Sequence, residues 1–417
     1  MTEIQGHERV VAIRAGWFID GTGMEPRRDV LITIENGVIS RVADAREVPR
    51  DVMVFDLSDH TVLPGLINMH AHTVLPGDGT PFEEWMELPD ELLLLQAHAN
   101  ALSALHSGVT TIRDCGGKGT LMFRLRDAIR AGIVPGPRFI LSGRPLTITG
   151  GHCRYFGGEA DGAEEMRRAT RQLLKEGADF IKIMASGGGT IGTYAQYPSF
   201  ELDELQAAIN EAHKIGKSAS CHCIATASIS RALDAGVDHI EHCSFMAADT
   251  TWRYDADVAQ RIAQSGVYVT ATLQVGADSM SAMKERYARG IATPEETHIV
   301  TVTPNRNDNT IASIRHLHDI GVPIVAGNDA GWRYTGFDDF FEELRLLVQA
   351  GMTPLEAIHA ATGLAAKACQ LDGVIGTLAP GCAADILAVR GDPTSDLSIL
   401  KAPALVVHAG KVVRDRR

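Results

Sequence analysis

Two hydrophobic patterns alternate along the chain. Near the N-terminus, Val11-Ala12-Ile13, residues 29–34, residues 38–42 and residues 52–57 are short strand-like runs. Glu35-Asn36-Gly37 supplies the hairpin turn between the second and third of them. The C-terminal end has the same character. Residues 384–389 and 404–413 read as strands, with Ala409-Gly410-Lys411 able to turn. Both ends being β-rich predicts one small β domain assembled from both termini.

Between the ends, a short apolar run, a polar loop and a helical period recur. Strands are expected at 65–70, 109–113, 138–142, 180–184, 218–222, 239–242, 267–271 and 323–327. Helices are expected at 91–107, 119–131, 163–177, 202–215, 225–235, 255–264, 308–320 and 338–350. Most of these end at a glycine such as Gly108, Gly177, Gly216 or Gly351, as helix C-termini commonly do. Eight strand–helix units in series predict an α/β fold, a (β/α)8 TIM barrel over residues 66–370. Residues 1–65 plus 371–417 then form a small β-sandwich domain. A doubly wound open sheet is the rival architecture. The stretches 73–90, 143–162 and 274–307 read as long loops, either covering a substrate or lying on the surface as plain insertions.

Composition narrows the function. A net charge of −13 argues against partners that want a basic face, so neither nucleic acid nor an anionic membrane is expected. No run approaches the length of a membrane span, and charged residues among the first twenty leave no leader-peptide core. Seven cysteines without a CxxC pair fit a reducing compartment, so the expected location is cytoplasmic. The expected partner is a small-molecule substrate, and the chain is expected to form a homo-oligomer.

The candidate chemistry gathers at the strand ends. Leu63-Pro64-Gly65-Leu66-Ile67-Asn68-Met69-His70-Ala71-His72 is an apolar run ending in two histidines one residue apart. Alternation along a strand points both imidazoles the same way, which lets them share a cation. Alone, such a pair is as consistent with a surface strand. However, Lys182, His222, His242 and Asp329 also fall at the ends of predicted strands, which in a barrel is the face that carries the active site. Imidazoles suit zinc and similar cations. A buried lysine beside cations can, as the free amine, add carbon dioxide to give a carbamate. The plainer reading pairs Lys182 with a carboxylate.

These residues resemble the amidohydrolase superfamily in its binuclear-metal form. Gly108-Val109-Thr110-Thr111-Ile112-Arg113-Asp114, Thr149-Gly150-Gly151-His152 and Ile240-Glu241-His242 are similar to its Xaa-Pro dipeptidase and imidazolonepropionase branch. The resemblance implies two divalent metal ions, with zinc expected. His70, His72 and Asp329 would hold one, His222 and His242 the other, and a carbamate on Lys182 would bridge them. It also implies a metal-dependent amidohydrolase in which a metal-bridging hydroxide attacks a C–N amide or peptide-type bond of a dipeptide or N-acyl amino acid. Asp329 would move the proton from the attacking oxygen to the leaving nitrogen.

His152 resembles a dipeptidase histidine that contacts substrate, and is taken as catalytic and substrate-binding; an unremarkable loop histidine is the alternative. Dipeptidases of this branch tend to carry a tyrosine two residues after the strand-five histidine. Ile224 stands there, which puts recognition of a free carboxylate in doubt; Tyr194 and Tyr197 are the candidate substitutes. His298 is a further candidate from its long loop, whereas His213, His316 and His318 are expected to face solvent. Cyclic amides or lactones, and aryl ureas or carbamates, are the alternative substrates. A catalytically silent barrel scaffold is the non-enzyme alternative.

Overall fold

The computed structural model describes residues 11–47 and 52–417; the charged N-terminal positions through Val10, which bear on the leader reading, lie outside them. The chain divides into two compact units. The described residues up to Ile67, with Ala104–Thr111 and Thr353–Arg417, form one, and Asn68–Ser103 with Ile112–Met352 form the other. The strands in chain order begin with β1 (Val11–Phe18), β2 (Arg27–Glu35), β3 (Val38–Asp44) and β4 (Met53–Pro64). Short strands follow: β5 (Leu66–Ala71), β6 (Val109–Asp114), β7 (Arg138–Leu141) and β8 (Ile181–Ile183). Next come β9 (Ala219–His222), β10 (His239–Glu241), β11 (Tyr268–Thr270) and β12 (Ile324–Val325). The last are β13 (Ile386–Arg390), β14 (Leu405–His408) and β15 (Lys411–Asp415).

In the first unit, strands from both chain ends join in one seven-stranded sheet of order β15-β14-β13-β4-β1-β2-β3. Asn36 and Gly37 both have positive φ (52° and 79°), as do Ala409 and Gly410 (47° and 75°). Two consecutive left-handed residues are what the tight hairpin turn demands, and a glycine at the second position adopts it without a Cβ penalty. The two turns meet: a Cβ on Gly37 would lie 2.7 Å from the Ala409 carbonyl oxygen. One apolar core runs beneath, taking in Phe18 of β1, Ile39 of β3, Val62 of β4 and Val407 of β14. Each such side chain contributes about 1.5–3 kcal/mol by leaving water.

The second unit carries the repeat. β8 to β12 form a parallel sheet of order β12-β11-β10-β9-β8, and β5-β6-β7 form a second sheet. Parallel bridges join their edges, Ala71 to Ala330 and Leu146 to Ile183. The Leu146 amide donates to the Lys182 carbonyl (2.8 Å) and the Met69 amide to the Ala326 carbonyl (3.0 Å). The strands are almost wholly buried, as parallel strands covered on both faces must be. Helices lie between them much as expected, for example Gly162–Glu176, closed by Gly177 at φ 100°.

The stretch 274–307 differs from expectation. It contains two helices, Leu273–Ala288 and Pro294–Val302. The second starts on a capping box, Thr293 with Glu296, and has a proline in its first turn. In the first, Gly276 in the opening turn leaves room for Asn307, whose side-chain amide donates to the Gly276 carbonyl (2.8 Å). A short helix, Phe82–Met86, also occupies part of 73–90. Among the described residues, no helix is long and apolar enough to cross a membrane.

Candidate metal centre

The second unit brings the six expected side chains to one place. His70 ends β5 and His72 follows it, with ring centroids 5.5 Å apart. The Nε2 atoms of His70 and His72 each lie 3.5 Å from Asp329 Oδ1. Ligand atoms of His70, His242 and Asp329 all fall within 4.8 Å of one another. The imidazoles continue as a chain: His70 to His242 at 5.0 Å, His242 to His222 at 4.5 Å and His222 to His152 at 4.5 Å between centroids.

Hydrogen bonds fix which nitrogen each ring presents. His70 Nδ1 meets Glu241 Oε2 at 2.8 Å, and His72 Nδ1 meets the Gly116 carbonyl at 3.0 Å, so each leaves Nε2 free. His242 Nδ1 lies 2.7 Å from Thr272 Oγ1, whose hydroxyl donates onward to the Ala271 carbonyl. His222 is reversed: its Nε2 meets the Gly187 carbonyl at 3.2 Å, leaving Nδ1. An imidazole whose other nitrogen is tied to a carboxylate or carbonyl is oriented as a metal ligand requires. Burial above all holds His72, His222 and His242 well below the ordinary histidine range. They are therefore neutral, with lone pairs available.

The backbone is bent to deliver two of these groups. His242 and Asp329 have φ of 69° and 59°, a left-handed conformation that costs a non-glycine residue energy and occurs where the surroundings enforce it. Here the Asp329 amide donates to the His70 carbonyl (2.9 Å). The Asn328 side chain is clamped by Asn68 (2.7 Å) and Gln274 (3.0 Å). Gly327 permits the approach, since a Cβ there would sit 2.7 Å from the His70 amide nitrogen.

Two buried atoms in the cluster lack hydrogen-bond partners among the described residues: Lys182 Nζ and Asp329 Oδ1. Lys182 is 0% exposed. The plainer expectation, Lys182 paired with a carboxylate, is not what the structure contains. The Glu241 carboxylate is engaged elsewhere: it accepts from Arg113 Nη1 (2.8 Å) and Ser220 Oγ as well as meeting His70. Burial alone would raise the Glu241 pKa, but Lys182, His70 and Arg113 hold it well below the usual carboxylate range. Asp329 is shifted the other way, with burial outweighing its attraction to His70 and Lys182. Orphaned polar atoms inside a protein each cost about 1–3 kcal/mol unless something satisfies them. Neutral imidazoles, a carboxylate and an unpartnered amine together are a donor set that fits divalent cations. Cys115 lies near His70 and Glu241, yet burial pushes its thiol up to about 12, so it stays protonated.

His152 reaches the same cluster from the loop after β7. It is buried, its Nδ1 lies 2.8 Å from Thr190 Oγ1, and its ring packs on Trp332 at 5.2 Å. Gly188 makes room, because a Cβ there would meet His152 Nε2 at 2.5 Å. His72, Lys182, His222, His242 and Asp329 line one cleft together with His152. Ile224 and several methionines line one wall, and Arg306 and Arg333 lie among the remaining lining residues.

Other expected contacts are not brought in. Tyr194 and Tyr197 are 67% and 51% exposed and do not line the cleft. A Cβ on Gly187 would sit 2.4–2.6 Å from Tyr194 backbone atoms, so it is the Tyr194 main chain that packs inward while the ring turns out. His298 is exposed on the helix Pro294–Val302 and also lies off the cleft. Reasoning from the sequence missed Glu241, Arg113, Thr272 and the two arginines. Glu241 offered a signal, a carboxylate inside a predicted strand and next to the histidine at its end.

Glu241→Gln is expected to lower metal affinity about 10- to 100-fold, because His70 loses the carboxylate that orients it. It should also cost about 3–5 kcal/mol of stability, since the buried Arg113 guanidinium loses its counter-charge. Competition with a chelating dye and a denaturant melt would read the two effects separately.

The amidohydrolase family model matches residues 61–413. Ochratoxinase from Aspergillus niger is 28% identical, aligned over 97% of this chain and 86% of its own length. Imidazolonepropionase from Nocardia farcinica is 25% identical over 91% of this chain and 89% of its own. A crystal structure of a Xaa-Pro dipeptidase with bound methionine in its active site superposes with a TM-score of 0.86 at 29% identity, covering 97% of this chain and all of that one. The chain belongs to the amidohydrolase family and is a hydrolase acting on carbon–nitrogen bonds of the amide type.

Proposed function

We propose that this enzyme cleaves the amide or peptide-type bond of a small substrate of the dipeptide or N-acyl amino acid class, using two divalent ions. The observation that carries the reading is the pair of buried, unpartnered atoms, Lys182 Nζ and Asp329 Oδ1, set among imidazoles with free nitrogens. His70, His72 and Asp329 would hold one ion, and His222 and His242 the other. Lys182, as the carbamate formed with carbon dioxide, would join them. When bound, the ions supply an acidified water and a Lewis-acid grip on the scissile carbonyl, and zinc suits this ligand set.

The chain's own groups do the rest. Asp329, its basicity raised by burial, accepts the proton of the attacking water and returns it to the departing nitrogen. His152, fixed by Thr190 and Trp332, bears on the substrate amide and orients it. The apolar wall around Ile224 takes the substrate side chain and excludes water.

The same reading includes a closed barrel of the eight strands β5 to β12, supported by the bridges at both sheet edges. It includes a terminal β-sandwich domain over 1–65 plus 371–417, supported by the meeting of the two hairpin turns. It also includes a reducing, cytoplasmic setting, supported by buried thiols such as Cys115, Cys153 and Cys221 that stand outside any disulfide. The test of function is a screen of the zinc-loaded protein against dipeptides, N-acyl amino acids, aryl ureas and lactones. Turnover confined to ureas or lactones would refute the proposed substrate class.

A further inference from the structure

The cleft has a second pole that the hydrolytic chemistry does not use. Arg306 begins the helix Arg306–Asp319, and Arg333 follows Trp332; both line the cleft that His72, Lys182 and Asp329 also line. The two guanidinium groups are near enough to repel. The Arg306 pKa falls to about 10, through burial first and Arg333 second. Arg333 has a partial counter-charge in Glu295, at 3.4 Å and on the same cleft wall. Arg306 has none: no side-chain hydrogen bond or ion pair joins its guanidinium to another described residue. Its recorded contact is with a ring face, the guanidinium carbon lying 4.8 Å from the Trp252 centroid.

Stacking on an indole holds the plane of a guanidinium while leaving its N–H edges free to meet a planar anion. Placing a half-buried, unpaired cation beside a second cation is costly, and an anion bound between them removes that cost. Arg333 also bears on His152, so this positive region extends toward the reacting end of the cleft. Ile224 and Met246 line the cleft as well and offer an apolar surface but no charge.

We propose that Arg306, assisted by Arg333, binds the free carboxylate of the substrate and so determines specificity for amides that carry one. The proposal rests on the amide-hydrolase reading above and makes it specific. It also supplies the carboxylate partner that Ile224 cannot provide and that Tyr194 and Tyr197, turned to solvent, do not reach.

The test uses N-acetyl-L-leucine and its carboxamide, which differ only in that charge, titrated calorimetrically into the metal-loaded protein. Wild type should bind the acid at least about tenfold more tightly than the carboxamide. In Arg306→Met that ratio should collapse to about one, with carboxamide binding and thermal midpoint unchanged; Arg306→Lys should keep part of it. A carboxylate can also reach the metals, so the collapse in Arg306→Met is the deciding result. Equal affinity for the two compounds in wild type, no detectable binding of either, or a ratio unaltered by Arg306→Met would overturn the assignment. Hydrolysis of the same acid is followed in parallel. Selective binding without cleavage counts against the substrate class proposed above and leaves the arginine site standing. Cleavage indifferent to the carboxylate does the reverse.

Discussion

Asp329→Asn is expected to reduce kcat by about 10³-fold, with the fold intact and KM little changed, on any compound that wild type cleaves. Asparagine is isosteric and tolerates the left-handed backbone that Asp329 adopts at φ 59°, so the turn after β12 should survive. The carboxylate's ability to accept and return a proton is lost. Burial is the dominant influence on Asp329 and raises its pKa from the ordinary carboxylate value. Steady-state kinetics beside a thermal melt decide the matter. Full turnover by the variant would remove Asp329 from proton transfer, whatever its closeness to His70 and His72.

Lys182→Met should separate stability from activity. Lys182 is fully buried on β8 and its amine has no hydrogen-bond partner among the described residues. Methionine fills a similar volume without a polar atom to satisfy, so the metal-free variant should melt no lower than metal-free wild type. Activity should fall by about 10³-fold or more, because the side chain proposed to join the two ions is gone. A variant that unfolds would instead identify Lys182 as a structural residue. One that folds and turns over normally would leave the amine with no role in catalysis.

Much of this site was readable from local pattern, and the reasons are physical. Alternation along a strand put His70 and His72 side by side, and the ends of short apolar runs gave Lys182, His222, His242 and Asp329. Period and position within a repeat are encoded locally. The hairpins were legible for the same reason, since Asn36-Gly37 states its own backbone conformation. What escaped depends on partners distant in sequence. Glu241 acquires its role only when Arg113 and Ser220 arrive from two other strands. Arg306 and Arg333 become a pair only once the segment between β11 and β12 folds back. That segment reads as a long loop by its position after a predicted strand, although Thr293-Pro294-Glu295-Glu296 is a helix start in plain view. Tyr194 and Tyr197 are candidates only because they follow Gly187-Gly188-Gly189 in sequence. Close packing of main chain on Gly187 turned the Tyr194 ring outward, and no sequence period reports such a contact.

The whole account rests on side chains from separate strands holding a pair of divalent cations in one buried place. Elemental analysis of the purified chain, loaded with zinc in the presence of bicarbonate and freed of excess by gel filtration, tests it most directly. Two equivalents of metal per chain are predicted, removable by chelator together with all hydrolytic activity. A chain that retains no metal yet hydrolyses amides at the same rate would contradict it.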